Sequence, residues 1–285
     1  MGELWQIRDA DGNEIAARIW ARVSEASSLP SVVRGLKDGF LIGGQLGGGL
    51  PQVTRLSADG ASSTPRVVRG VTTTKPGDVQ LYRGDLEWFY RPADDTVRRF
   101  APPVAFPARQ QVLLTDKGTP VETSLTKRGL FLHTSTDGGT TWKRTPVPTI
   151  KGVAASRIFV GGGFIWAGLT TISDEGYDVL HFLVRTPETK PGAWERTDLR
   201  AHDLLDSSAI GEPEALSNAT VLLGERKGWW LLNGEQLSKL DLPDALGTDA
   251  GSVWAGVEDD RIWVGGLSGG LFYTDDAGRT WTEVK

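Results

Sequence analysis

Aromatic and β-branched residues come in short runs along this chain, and Gly or Asp ends most of them. That alternation predicts strands bounded by tight turns. The cleanest set lies near the C-terminus: SVWAGV reads as a first strand, EDD as a turn, RIWVGG as a second strand, GLFYT as a third and TWTEVK as a fourth. The same order occurs earlier as QVLLT, DKG, PVETS, GLFLHTS and TWKRTPV, with glycine opening the third strand in both copies, at Gly129 and Gly270. ATVLLG, WWLLN and QLSKLDL read as a unit of three strands.

Aligned on these runs, the chain divides into six units beginning near Leu29, Thr72, Ala105, Thr149, Glu212 and Gly247. Their lengths scatter around ~40 residues, the period of a four-stranded propeller blade. Residues 1–28 read as a hairpin around DADGN that completes or forms a further blade. The expected fold is therefore all-β: a single β-propeller domain over residues 1–285, with six or seven mostly four-stranded blades. Only EIAARIWARVSEA, Glu14 to Ala26, has helix-forming composition, because Gly and Pro interrupt nearly everything else.

Composition sharpens this picture in a few places. Thirty-six glycines and 15 prolines against one methionine fit a chain of many turns. With 31 basic and 36 acidic residues and a net charge of −5, there is no basic footprint for phosphate neutralisation, which argues against DNA or RNA as partners. The absence of cysteine excludes disulfide and thiolate chemistry. No stretch approaches ~18 consecutive apolar residues, so no membrane span is expected. The N-terminal MGELWQIRDADGNE has no basic lead followed by an apolar run. The expectation is a soluble monomer, cytoplasmic as given and secreted only if a leader was removed. Eleven tryptophans suggest a repeated packing position or a sugar-stacking surface.

Two stretches stand out from the period. STDGGTTW, Ser135 to Trp142, is echoed by TDDAGRTW, Thr274 to Trp281. The pattern S/T-x-D-x-G-x-x-W resembles the Asp-box, or BNR repeat, found in sialidases, in photosystem II assembly factors and in Vps10-type receptors. Ser135, Asp137, Gly139 and Trp142 match it fully, and Thr274, Asp276, Gly278 and Trp281 match with threonine first. Degenerate copies lie at RLSADGASSTPRVV, which keeps Ser57 and Asp59, and at FLVRTPETKPGAWERT, which keeps a tryptophan after a glycine turn. Glycine tolerates the positive φ of a tight turn, the carboxylate can accept bonds from the loop's own N–H groups, and the indole buries area against a neighbouring blade. The resemblance implies that these residues maintain the fold and that the box turns lie on the face opposite any active site.

Chemistry is then expected where loops between second and third strands, and links between blades, share one face around the central channel. The two longest carry Asp174, Glu175, Tyr177, Asp178, His202, Asp203, Asp206, Glu212 and Glu214. Of these, Asp174, Glu175, Tyr177, Asp178 and Asp203 are the catalytic candidates, as a carboxylate pair for glycoside cleavage or as oxygen ligands for calcium. No cofactor is required by the sequence otherwise. Lys127, Arg128, Arg91 and His202 are the binding candidates on the same face. FYRPADD offers Tyr90, Arg91 and Pro92 against the F/Y-R-I-P motif of sialidases but lacks its isoleucine. GGQLGGGLP, lacking the lysine and hydroxyl of a phosphate loop, reads as a rim connection. The favoured function is a non-catalytic binding or assembly module holding a protein, peptide or glycan; the alternative is a glycoside hydrolase that uses the acidic loops.

Overall fold

The computed structural model describes residues 7–8, 14–16, 32–36, 39–45, 51–57, 61–82, 85–100, 109–115, 117–127, 129–148, 150–151, 154–172, 178–202, 204–206, 213–225, 228–246, 253–258, 261–266 and 270–283. The chain forms two compact units, one of residues 1–102 with residue 285 and the other of residues 103–284. The fold is that of an all-β propeller with four-stranded blades, and no helix among the described residues is long and apolar enough to cross a membrane.

In the first unit, β1 (Ile7–Arg8) and β2 (Glu14–Ala16) pair antiparallel as a two-stranded ribbon of their own. β3 (Val32–Leu36), β4 (Gly39–Gln45), β5 (Pro51–Ser57) and β6 (Ser62–Ser63) form an antiparallel meander, the first blade. Next come β7 (Arg66–Thr72), β8 (Val79–Tyr82), β9 (Asp85–Arg91) and β10 (Thr96–Phe100). These do not make a meander: β8, β9 and β10 pair antiparallel in turn, but β7 joins the far side of β10 in parallel.

The second unit contains four meanders. They are β11 (Arg109–Leu114), β12 (Pro120–Thr126), β13 (Gly129–Thr134) and β14 (Lys143–Pro146); then β15 (Ala154–Gly161), β16 (Phe164–Ile172), β17 (Asp178–Pro187) and β18 (Glu195–Asp198), with a fifth strand, β19 (Leu204–Asp206), also on β17. The third is β20 (Glu214–Ala215), β21 (Val221–Glu225), β22 (Gly228–Asn233) and β23 (Gln236–Lys239). The last is β24 (Val253–Glu258), β25 (Arg261–Gly266), β26 (Leu271–Thr274) and β27 (Thr282–Glu283). Among the described residues the structure thus has five blades, not the six or seven expected. The unit expected from Thr72 is not a blade of the regular kind, because its fourth strand comes from the segment before it. Among the described residues of the N-terminal hairpin, β1 and β2 pair with each other. The unit read as three strands gains a fourth in the two-residue β20.

Successive blades of the second unit are held by apolar faces, which explains why their strands are hydrophobic on both sides. Leu113, Val121, Leu130 and Leu132 pack on Ile158, Ile165 and Val184 of the next blade. The neighbouring residues Phe159, Trp166 and Leu183 point to the opposite face and pack on Val221, Leu223 and Leu232. Leu222, Trp229 and Leu231 alternate with those in turn and meet Val253, Ile262 and Val264. Each such side chain contributes about 1.5–3 kcal/mol by leaving water. The first strands β11, β15, β20 and β24 are neighbours in that order, as the inner strands of consecutive blades should be.

Candidate functional site

The two ends of each blade in the second unit differ in construction. At one end lie the conspicuous turns. Ser135 Oγ donates to Asp137 Oδ1 at 2.7 Å and accepts from the Gly139 N–H at 2.7 Å. Asp137 Oδ1 also accepts the N–H groups of Thr140 and Thr141 at 3.0 and 2.8 Å, and Oδ2 accepts the Thr141 hydroxyl at 2.6 Å. Thr274, Asp276, Gly278 and Thr280 repeat the arrangement, with bonds of 2.7 to 3.0 Å. Gly139 and Gly278 take φ of 104° and 87°, a region glycine occupies without strain. The hydrogen bonds, led by that of the Thr141 hydroxyl, hold the Asp137 carboxyl at about 2; the Thr280 hydroxyl does the same at Asp276.

The indoles add a second layer. Trp142 Nε1 donates to Gly139 O within its own turn at 2.9 Å. Trp281 Nε1 reaches Asp241 O, just past the outer strand of the preceding blade, at 2.9 Å. Trp194, from the degenerate copy, reaches Pro146 O on β14 at 3.0 Å. In that copy the Gly192 N–H bonds to Thr186 Oγ1 at 2.9 Å, so Thr186 takes the place of the leading hydroxyl. Sequence reading missed Thr186; a threonine ending a strand ahead of a Gly-x-Trp turn is the signal that identifies it.

At the other end, β16 and β17 run past the start of β15, whose Ala154 pairs with Thr170. Thr171 and Ile172 pair with Val179 and Asp178, and β19 then lies along Asp178–Leu180 of β17. Asp178 and Asp206 stand opposite each other in register. Thr171 Oγ1 and His181 Nε2 share a 2.7 Å hydrogen bond at the base of this extension. His202 is exposed in the single 3-10 turn Arg200–His202 between β18 and β19, and Lys127 is exposed in the turn after β12. Asp174, Glu175, Tyr177, Asp203, Glu212 and Arg128 lie outside the described residues. Among the described residues no group of His, Asp and Glu is placed to hold a metal ion.

Two candidates sit elsewhere. Arg91 is only 6% exposed: Nε and Nη2 donate to the two carboxylate oxygens of Asp78 at 2.9 and 2.7 Å, and Nη2 also donates to Thr73 O at 2.9 Å. Asp78 Oδ2 further accepts the Lys75 N–H at 2.8 Å, so this forked pair pins the connection between β7 and β8. Glu214 reaches from β20 to β24, where its Oε2 accepts the Val257 N–H at 2.5 Å; Gly256 beside it leaves room for the carboxylate. It ties two inner strands together. A third polar group was not foreseen as a set: Ser124 Oγ and His133 Nε2 share a 2.7 Å bond, with Glu122 opposite His133 in register. All three are nearly fully buried, and burial, followed by the nearby Arg144 charge, lowers the His133 pKa.

No protein-family model matches the sequence, and a search of curated proteins finds no match. Among solved structures the chain is similar to YCF48 bound to a D1 peptide, at 12% identity and a TM-score of 0.47 over 89% of this chain and 81% of that one. It is similar to YCF48 from Cyanidioschyzon merolae at 13% identity and 0.48, over 90% and 86% of the two chains. The extracellular domain of a hybrid two-component system from B. thetaiotaomicron gives 12% and 0.41, over 96% of this chain and 40% of that one.

Proposed function

We propose that this chain is a non-catalytic binding or assembly propeller that holds a protein or peptide segment at the blade ends opposite the turns 135–142 and 274–281. We read those two turns as Asp-boxes given over to fold maintenance. The observation that carries the proposal is the extension formed by β16, β17 and β19, which lengthens this blade at that end. A blade needs four strands to pack on its neighbours, and β19 is an addition beyond them. Acidic residues directly opposed in register, as Asp178 and Asp206 are, cost a sheet stability. A basic side chain of a ligand would relieve that cost.

The test is fluorescence anisotropy with a panel of short labelled peptides of basic, neutral and acidic composition. Basic peptides should bind, and the double variant Asp178→Asn with Asp206→Asn should weaken them about tenfold, a change of about 1.4 kcal/mol. Thr280→Ala, at the other end of a blade, should leave binding unchanged. Equal weakening by Thr280→Ala would overturn the placement. Turnover of aryl glycosides that is lost in the double variant would replace the binding reading with the hydrolase one.

A further inference from the structure

We propose that β7 is a docking edge that takes up an acidic, extended segment of a partner protein as an added strand. This is independent of the ligand proposed above, because it rests on a different part of the molecule. Among the described residues β7 stands at the end of its sheet, paired on one side only, with β10. Its exposure is unusual for a seven-residue strand: Arg66, Arg69, Gly70 and Val71 are all exposed. Among the described residues, Val71 is the one large hydrophobic side chain left mostly open, at 60%. An edge of this length with free backbone groups is a template for another strand, and proteins ordinarily shorten or cover such edges.

The local chemistry selects the occupant. The chain as a whole carries a net charge of −5, yet this edge is basic. Arg66 and Arg69 are exposed on β7, and Arg99 is exposed on β10 at the position paired with Val71. A second copy of the chain is disfavoured, since pairing β7 with β7 would set Arg66 and Arg69 against the same two residues. Register also shapes the edge. Val68 pairs with Arg98 and Val71 with Arg99, so Arg69 and Gly70 form a bulge without partners on β10. Gly70 has φ of 96°, and a side chain there would meet nothing within 4 Å, so the space beside the bulge is open. An added strand gains main-chain hydrogen bonds from the edge, and its alternate side chains are read by Arg66, Arg69 and Val71. The fitting sequence alternates acidic and β-branched residues.

The probe is a synthetic peptide of alternating glutamate and valine, titrated into the full chain and followed by anisotropy, with hydrogen exchange read on the amides of β7. Binding should be saturable, should slow exchange in β7, and should weaken about tenfold in the variant Arg66→Glu with Arg69→Glu. The lysine–valine counterpart should not bind. N-methylation of alternate amides in the peptide should abolish binding without changing its charge. Undiminished binding of the N-methylated peptide would reduce the effect to charge attraction and overturn strand addition. Absence of saturable binding would overturn the proposal outright, as would assembly of the protein alone through β7, read by sedimentation at rising concentration.

Discussion

The turns 135–142 and 274–281 close on the same hydroxyl, carboxylate and glycine bonds, yet their indoles go to different places. Trp142 returns to its own Gly139, while Trp281 crosses to Asp241 in the blade before it, as Trp194 crosses to Pro146. The polar part of the turn is thus a local device that works regardless of neighbours. The indoles of Trp194 and Trp281 join one blade to the next. Sequence motifs treat the two parts as one object, but the bonds separate them.

The largest break in this comparison should come at Gly278. A Cβ there would collide with Leu240 Cδ1 of the preceding blade, and φ is 87°. Gly278→Ala should lose about 2–4 kcal/mol in urea unfolding. A loss below about 1 kcal/mol would show that the turn and its neighbour yield to the added methyl. Next in size, Trp281→Phe and Trp194→Phe should each lose about 1 kcal/mol beyond their packing, the net worth of the hydrogen bond to the preceding blade. In each, hydrogen exchange should quicken in the outer strand of the preceding blade, β23 or β14. Quickening confined to the substituted blade would mean that the indoles do not couple blades.

The smallest effect concerns acid. Asp137 and Asp276 titrate at about 2 in the folded chain against an ordinary 3.8. A depressed folded value means stabilisation that is complete above about pH 4 and is lost as pH falls towards 2. Asp137→Asn with Asp276→Asn should flatten the fall of the unfolding midpoint across that window. An unchanged slope in the double variant would show that other carboxylates govern it.

Much of the fold was legible because its signals are short in range. The hydroxyl, carboxylate and glycine bonds of the turns 135–142 and 274–281 bridge no more than four positions, and strand runs between glycines need no distant information, so the four-stranded pattern is visible in the chain itself. The parallel ladder of β7 on β10 was not legible. PRVV follows a box-like loop and reads as the fourth strand of the first unit, but Val67 is drawn to the cluster of Leu81, Trp88 and Val97. A same-direction pairing across intervening strands leaves no periodic mark. The pairing of Arg91 was not legible for a similar reason: its partner Asp78 lies 13 residues earlier, and nothing in the spacing announces a buried fork. At the rim, composition identified acidic loops, whereas the register of Asp178 with Asp206 emerged only from the paired strands.

The backward reach of the indoles sets an order of assembly during synthesis. Trp194 lies 48 residues after the carbonyl it secures and Trp281 lies 40 after its own. At about 5–20 residues per second, a finished outer strand waits roughly 2–10 s on the ribosome before its latch has been translated. Every such blade emerges unfastened and is locked by its successor.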